Sequence, residues 1–529
     1  MSNNILFGED IRQKLLSGAN KLANAVASTL GPGGQNVILY QRGKPPVITK
    51  DGVSVARVVE LEDDFENAGA DVIRQAALAT NDSAGDGTTT STVLACAVLN
   101  ESHKHIAAGS NSVELKRGMD KAVAAVLEAL DELSQPISSE EDIAHIATVS
   151  ANGDAAIGEL IASAVAAAGK DGAVTIEESR SLETSLDVIE GFQLPAGYAS
   201  PQFITDERRG AVVYKSALVL VTDETLDNLQ ELLPLLEVAA RDGRPLVVFA
   251  ESIEGEVLAA LIMNRMRGGM KIAAVKAPRY GEERRNLLSD LAVTVGATFI
   301  SKDQPLRIKD VKLEHLGEVN SVEILKSHTT LAGGSGTPED IDNRVEALRT
   351  EVANTENLHE AERTQERITR LASGVSVIRV GGATEIEVTE KTHRIEDALE
   401  AVRSAQEEGV VPGGGTALVT TTRKLNLELE NRDQVMGAQV VISACRAPVK
   451  QILANAGVSS DIVLATLDDP NAELEDNFGF NVKTSRFEDL IEAGVLDPVK
   501  VTKSALRNAV SAAGTLLTTN CAVLRETKE

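Results

Sequence analysis

The stretch NDSAGDGTTTSTVLACAVLN, Asn81 to Asn100, sets an acid between two glycines, follows it with three threonines and runs on into an apolar helix. Gly85 and Gly87 permit backbone angles closed to other residues and the near approach of a phosphate, while Thr88, Thr89 and Thr90 place N–H and hydroxyl donors where a helix begins. Asp86 beside those donors suits Mg²⁺, which takes one or two carboxylates and completes its shell with phosphate oxygens and water. An ordinary N-cap, with Asp86 or Thr88 satisfying the free N–H groups, explains the same residues, and for this motif alone it is the stronger reading. The stretch is no Walker A loop, for it lacks GxxxxGK[ST]. Three further glycine turns accompany it: TLGPGG (Thr29 to Gly34), ITKDGVSVA (Ile48 to Ala56), which sets Lys50 and Asp51 before a glycine, and VVPGGGTAL (Val410 to Leu418). Each is common singly. Together, and with Asp397 in RIEDALEAV, they point to phosphate chemistry.

These turns need rigid elements to hold them. Apolar residues recur at helical spacing over 9–30, 64–84, 88–108 and 112–133, for example Ile11, Leu15, Leu22, Val26 and Leu30. Residues 433–465 and 498–518 share this Ala-rich character, so the spacing predicts one helical domain assembled from both chain ends. The middle changes period: short β-branched runs at 217–222, 246–250 and 271–276 alternate with helices, a βαβ pattern that predicts a parallel sheet. No GxGxxG follows its first strand, which argues against a dinucleotide site there. Breaks at Pro136, Gly191, Gly374 and Gly409 bracket two connecting segments and read equally as plain turns or as hinges.

Composition narrows the function classes. At 529 residues the chain divides into about three or four domains. A net charge of −27 repels nucleic acid and anionic membranes. The first residues carry Glu9, Asp10, Arg12 and Lys14 where a signal peptide would be apolar, and no uncharged run spans a bilayer, so a cytoplasmic location is expected. Cys96, Cys445 and Cys521 stand apart without CxxC spacing and read as small buried hydrophobes. Seven scattered histidines give zinc little support. Aromatic residues make up 2% with no Trp, which favours closely packed helices and weighs against stacking of bases or sugars.

Six segments, TLGPGGQNV, ITKDGVSVA, AGDGTTTSTVLA, ELKRGMDKAV, EDALEAVRSAQEEGVVPGGGTAL and LDPVKVTKSALRNA, resemble the group I chaperonins, the bacterial large-subunit chaperonin family, in order and over essentially the whole chain. The resemblance implies a mostly α fold with α/β parts in three domains: an equatorial ATPase domain (1–132 and 408–529), an intermediate domain (133–189 and 375–407) and an apical domain (190–374) that binds clients and a co-chaperonin lid. It resolves the four breaks as hinges. It implies rings of seven subunits, single or double, that enclose unfolded polypeptide through ATP-driven domain motion.

Carried over by position, Thr29, Leu30, Gly31 and Pro32 would line the nucleotide site, and Asp86 would hold Mg²⁺. Gly87, Thr88, Thr89 and Thr90 would cradle phosphates, and Gly414, Asn481 and Asp497 would hold the adenosine. Thr29, Lys50 and Thr89 would give oxygens to K⁺. Asp51 and Asp397 would polarise the attacking water, with Asp397 arriving on the intermediate domain. In the apical segment, Leu229, Leu232, Leu233 and Leu236 share one helical face and Leu258, Leu261 and Ile262 another, and the pattern alone favours packing on the sheet. By resemblance, Tyr198, Phe203, Leu233, Leu236, Leu258, Ile262 and Met263 match the client and lid groove.

Several positions depart from the family. Gln202 stands at the groove edge, where an aromatic residue is frequent. Ala196 removes a basic partner for Glu385, Lys450 and Ser459 remove the acid from a ring-to-ring pair, and Val482 and Lys483 replace small residues beside the adenosine. The sequence ends at VLRETKE without the Gly-Gly-Met tail of bacterial members. These mark a divergent member, a paralogue or a phage-borne copy. The alternative function is a passive binder of unfolded protein that has lost its cycle, and a metabolic kinase using GDGTTT is a third, weaker reading.

Overall fold

The computed structural model describes residues 3–40, 46–137, 139–151, 153–168, 173–179, 181–354, 358–372, 374–468 and 474–525. The end of the VLRETKE segment therefore lies outside the described residues. Two compact units result, one from Met1–Ala162 with Ala383–Glu529, the other from Ser163–Gly382.

The first unit is helical and joins both ends of the chain. Helices Gly8–Ala27, Asp64–Ala84, Thr88–Ala107 and Ser112–Leu133 occupy the expected stretches, and Val499–Leu517 packs among them. The stretch 433–465 is three helices, Arg432–Ala444, Ala447–Asn455 and Ser460–Leu467. Pro448 in the first turn of the second helix and Gly457 at φ +72° after it impose those breaks. Strand Asn3–Phe7 pairs antiparallel with Cys521–Arg525, so the two ends meet.

Ile11, Leu22, Ile73, Leu94 and Met119 are fully buried with Val441, Leu506 and Val510 from the far end, and none of the buried residues of this core is aromatic. Burial of each such side chain contributes about 1.5–3 kcal/mol. A core of small residues requires the helices to approach closely, and glycines provide the approach. A β-carbon placed on Gly18 would lie 1.7 Å from the carbonyl oxygen of Glu66, and one on Gly69 would lie 2.2 Å from that of Leu15. The crossing of Ser112–Leu133 with Arg432–Ala444 repeats this reciprocity: a β-carbon on Gly118 would sit 2.0 Å from the Gln434 oxygen, and one on Gly437 2.0 Å from the Leu115 oxygen.

The second unit carries an eight-stranded sheet in the order Ile272–Lys276, Leu246–Ala250, Val212–Val221, Gly317–Ile324, Thr329–Gly334, Ser185–Leu194, Gly374–Val380, Ala173–Glu178. The first three strands are the expected parallel βαβ set. The whole sheet is mixed, contrary to a purely parallel expectation, because the next strands join through a tight hairpin at 325–328, and so short a link allows only antiparallel pairing. Helix Gly281–Val295 is tied to Pro338–Asn354 and Leu358–Ala372 by Asp290, 1% exposed, which accepts from Arg344 Nε at 2.8 Å and Arg367 Nε at 2.7 Å.

Of the four expected hinges, Gly191 and Gly374 lie within strands, where pairing continues through Gly191 with Ala332 and Gly374 with Glu190. Neither is a turn, and the two compact units divide at 162/163 and 382/383. A β-carbon on Gly191 would meet Val375 Cγ2 at 2.3 Å, so close packing accounts for that glycine. At Pro136 and Gly409 the two connecting segments run side by side: Gln135 and Val410 exchange backbone hydrogen bonds of 2.9 and 2.8 Å, and Gly409 turns with φ +83°.

Gly118→Ala tests the close helix crossing. Helix preference alone would favour alanine by about 1 kcal/mol, yet overpacking against the Gln434 backbone is expected to leave a net loss of about 1–3 kcal/mol. Calorimetry would read this as a lower unfolding temperature, and an unchanged temperature would mean that the helices part without cost.

Candidate functional site

A cavity of about 690 Å³ opens in the first unit, and all fifteen residues expected around a nucleotide line it, from Thr29 to Asp497 and including Asp397. Its phosphate-sized end is built on helix Thr88–Ala107. Gly87 precedes this helix at φ +90°, and no side chain caps it. A β-carbon on Gly87 would lie 2.7 Å from Val501 Cγ1, so only glycine fits. Asp63, Asn111, Ser139, Thr384 and Asn431 do cap their helices. The ordinary N-cap reading of GDGTTT therefore fails, since among the described residues Asp86 accepts only its neighbour's N–H, from Gly87, and the hydroxyl of Ser150 at 3.3 Å. Thr88 Oγ1 is buried without a hydrogen-bond partner among the described residues. An uncapped N-terminus with a buried orphan hydroxyl is a ready anion site.

Asp51 does cap a helix. Its carboxylate accepts from Val53 N at 2.9 Å, Ser54 N at 3.0 Å and Ser54 Oγ at 2.6 Å, which fixes it at the cavity wall. Burial raises the Asp86 carboxyl above the ordinary range, the Gly87 N–H and Ser150 hydroxyl oppose this, and the charge of Asp51 adds to it. Asp497 is pushed up to about 6, chiefly by burial, with the N–H of Gly415 opposing and the charge of Asp86 adding. Lys50 is lowered by burial and by Arg394, with Glu390 opposing. Buried carboxylates crowded in this way call for a cation, and Asp86 fits Mg²⁺ as a single carboxylate beside a phosphate cradle. Thr29 Oγ1 and Thr89 Oγ1 stand 3.5 Å apart, an oxygen-only pair that fits K⁺.

The opposite end is formed by Gly414, Gly415 at φ +77° and the hairpin Phe478–Asn481/Arg486–Asp489. Asn481 lines the cavity, but its amide is engaged within the hairpin, donating to Glu488 Oε1 at 2.7 Å and accepting from Lys483 N at 2.9 Å. Residues not anticipated from the sequence also line the wall: His145, Thr148 and Ser150 from helix Glu140–Ser150, and Glu390, His393 and Arg394 from helix Glu385–Glu408. Positions 390, 393, 394 and 397 share one helical face, a spacing that could have revealed them once Asp397 was chosen.

The expected groove residues of the second unit divide by exposure. Leu233 is 45% and Met263 44% exposed, whereas Tyr198, Leu258 and Ile262 are half-buried against the core. Phe203 and Leu236 are buried, which corrects their placement on an exposed edge. Phe203 turns inward through the short helical turn Pro201–Phe203, and Leu236 lies on the inward face of helix Leu229–Asp242 with Leu232 and Leu235.

A mostly α chain with an α/β unit and a nucleotide-sized cavity built from both ends has the architecture of a chaperonin subunit. The chain belongs to the TCP-1/cpn60 chaperonin family, whose sequence profile matches residues 22–527, as a divergent member of group I. It is similar in fold to the chaperonin gp146 from bacteriophage EL 2 (Pseudomonas aeruginosa), crystallised in the presence of ATP-BeFx. One crystal form gives a TM-score of 0.67 at 21% identity, another 0.62 at 22%, each match covering 99% of both chains. Among the described residues, no helix is long and apolar enough to cross a membrane.

The raised Asp497 carboxyl has a consequence for stability. A folded value of about 6 lies above that of the unfolded chain, so this group favours the folded protein at low pH and the contribution is lost as pH rises through about 6. Without nucleotide, Asp497→Asn is expected to remove that part of the decline between about pH 4 and about pH 7. Thermal melts of both proteins across this range test it, and parallel pH courses would refute it.

Proposed function

We propose that this chaperonin is an ATP-driven folding machine, in which hydrolysis in the first unit drives enclosure of a client held by the second. What supports this most is the meeting of Asp51, Asp86 and Asp397 with an uncapped helix N-terminus around one cavity. Phosphoryl transfer needs positioning and charge neutralisation more than covalent help. The N–H groups of Thr88–Thr90 and the Thr88 hydroxyl receive phosphate oxygens. Mg²⁺ bound at Asp86 would supply further neutralisation of the phosphate charge, and K⁺ near Thr29, Lys50 and Thr89 would do so more weakly. Asp51, its oxygens held by three hydrogen bonds, orients the attacking water, and Asp397 accepts its proton.

Asp397 stands on helix Glu385–Glu408, which lies within the second connecting segment. Bending where Gln135 and Val410 pair would move this helix to and from the cavity, tying hydrolysis to closure. Client and lid bind the aliphatic edge that includes Leu233 and Met263, whose adaptable side chains suit many sequences. Subunits assemble in rings of seven.

Asp397→Ala is expected to leave ATP affinity within a few-fold of the parent and to slow hydrolysis by at least roughly 100-fold. Binding titration and steady-state phosphate release read the two terms separately. Undiminished hydrolysis would refute the mechanism. A parent protein that holds unfolded polypeptide but hydrolyses no ATP would instead be a passive binder.

A further inference from the structure

Three cationic side chains of different situation line the nucleotide-sized cavity. Arg394 donates to Glu390 and to Asp154, so its charge is met. Lys50 is partly buried between the charges of Arg394 and Glu390. Lys483 is exposed, and among the described residues no carboxylate pairs with its ammonium. The same wall carries Asp51, Asp86, Asp397, Asp497, Glu385 and Glu390, so an unmet cation stands out against an acidic lining.

Its position is held firmly. The Lys483 N–H donates to Asn481 Oδ1 at 2.9 Å, Asn481 is 7% exposed, and its amide nitrogen donates in turn to Glu488, which also accepts from Thr484 Oγ1 at 2.9 Å. Phe487 stacks on Phe478 at 5.8 Å and meets Phe480 edge-on at 5.1 Å, stiffening the hairpin that presents the lysine. From this base the side chain reaches Gly153, in the turn after helix Glu140–Ser150. Gly153 has φ +88°, and a β-carbon there would lie 2.8 Å from Lys483 Nζ. The lysine thus spans from the hairpin to that turn, three residues beyond Ser150, whose hydroxyl donates to Asp86.

We propose that Lys483 is a nucleotide-retention residue, a positioning group on the cavity wall that donates its ammonium to acceptor atoms of the bound nucleotide. The proposal rests on the nucleotide reading of the cavity. It makes escape of the product nucleoside diphosphate slow, because a charged donor must be broken away and left without a protein partner.

The test loads the full chain with labelled ADP and Mg²⁺, chases with excess unlabelled ADP and follows dissociation by rapid filtration. Lys483→Ala and Lys483→Met are expected to release ADP roughly tenfold faster than the parent, the scale of losing one charge-assisted hydrogen bond, and Lys483→Arg to restore retention. Lys424→Ala, which removes a lysine paired with Asp476 and outside the cavity wall, is expected to release ADP at the parent rate. Equal dissociation from the parent and Lys483→Ala overturns the proposal. So does full retention by Lys483→Met, which keeps the packing without the charge, or equally fast release from Lys424→Ala, which would assign the effect to net charge. A parent that binds no ADP at all overturns the nucleotide reading itself, an outcome distinct from the others.

Discussion

Backbone meets backbone at two helix crossings, and the first unit depends on it. With no aromatic side chain among the buried residues of its helical core, that unit cannot fill wide gaps between helices. Gly18 with Gly69 and Gly118 with Gly437 bring the helices near enough for Ala, Val and Leu to close the interior. The first crossing sets helix Gly8–Ala27, which leads to Thr29, against Asp64–Ala84, which leads to Asp86. The second joins the two chain ends. The cavity wall is therefore placed by contacts that hold no catalytic residue.

The same use of small residues continues into the site. Gly87 packs where a side chain would strike Val501, and the helix it opens is left uncapped, its donors reserved. Carboxylates are then brought together in a buried space at a cost to the protein without ligand, visible in the raised Asp86 and Asp497. Such a site is strained toward its ligand by electrostatics, since a cation and a donor-seeking anion relieve both the crowded acids and the unused N–H groups.

Much of this was legible in the sequence. The helices at 64–84, 88–107 and 112–133 follow from long, regular periodicity, and the glycine turns announce themselves by type. What the sequence left open is set by long-range pairing. The antiparallel half of the sheet depends on which strands meet across more than a hundred residues, and no local pattern states that for Ser185–Leu194 beside Thr329–Gly334. Gly191 reads as a turn because glycine in a strand is rare, yet it answers to the approach of Val375. Phe203 and Leu236 were placed outward by resemblance of position, and only the packing of the second unit turns them in. His145, His393 and Arg394 carry no motif of their own and become site residues only when their helices are set against the cavity.

The pairing of Asn3–Phe7 with Cys521–Arg525 also orders events during synthesis. The segment Ser163–Gly382 is complete as a compact unit while more than a hundred residues remain to be translated. The first unit must wait, its early helices lacking Arg432–Ala444 and Val499–Leu517, until those segments are made. The nascent protein thus carries a folded middle and an open beginning for much of its translation, and this chaperonin is itself, for that interval, a chain with exposed apolar helices in need of shelter.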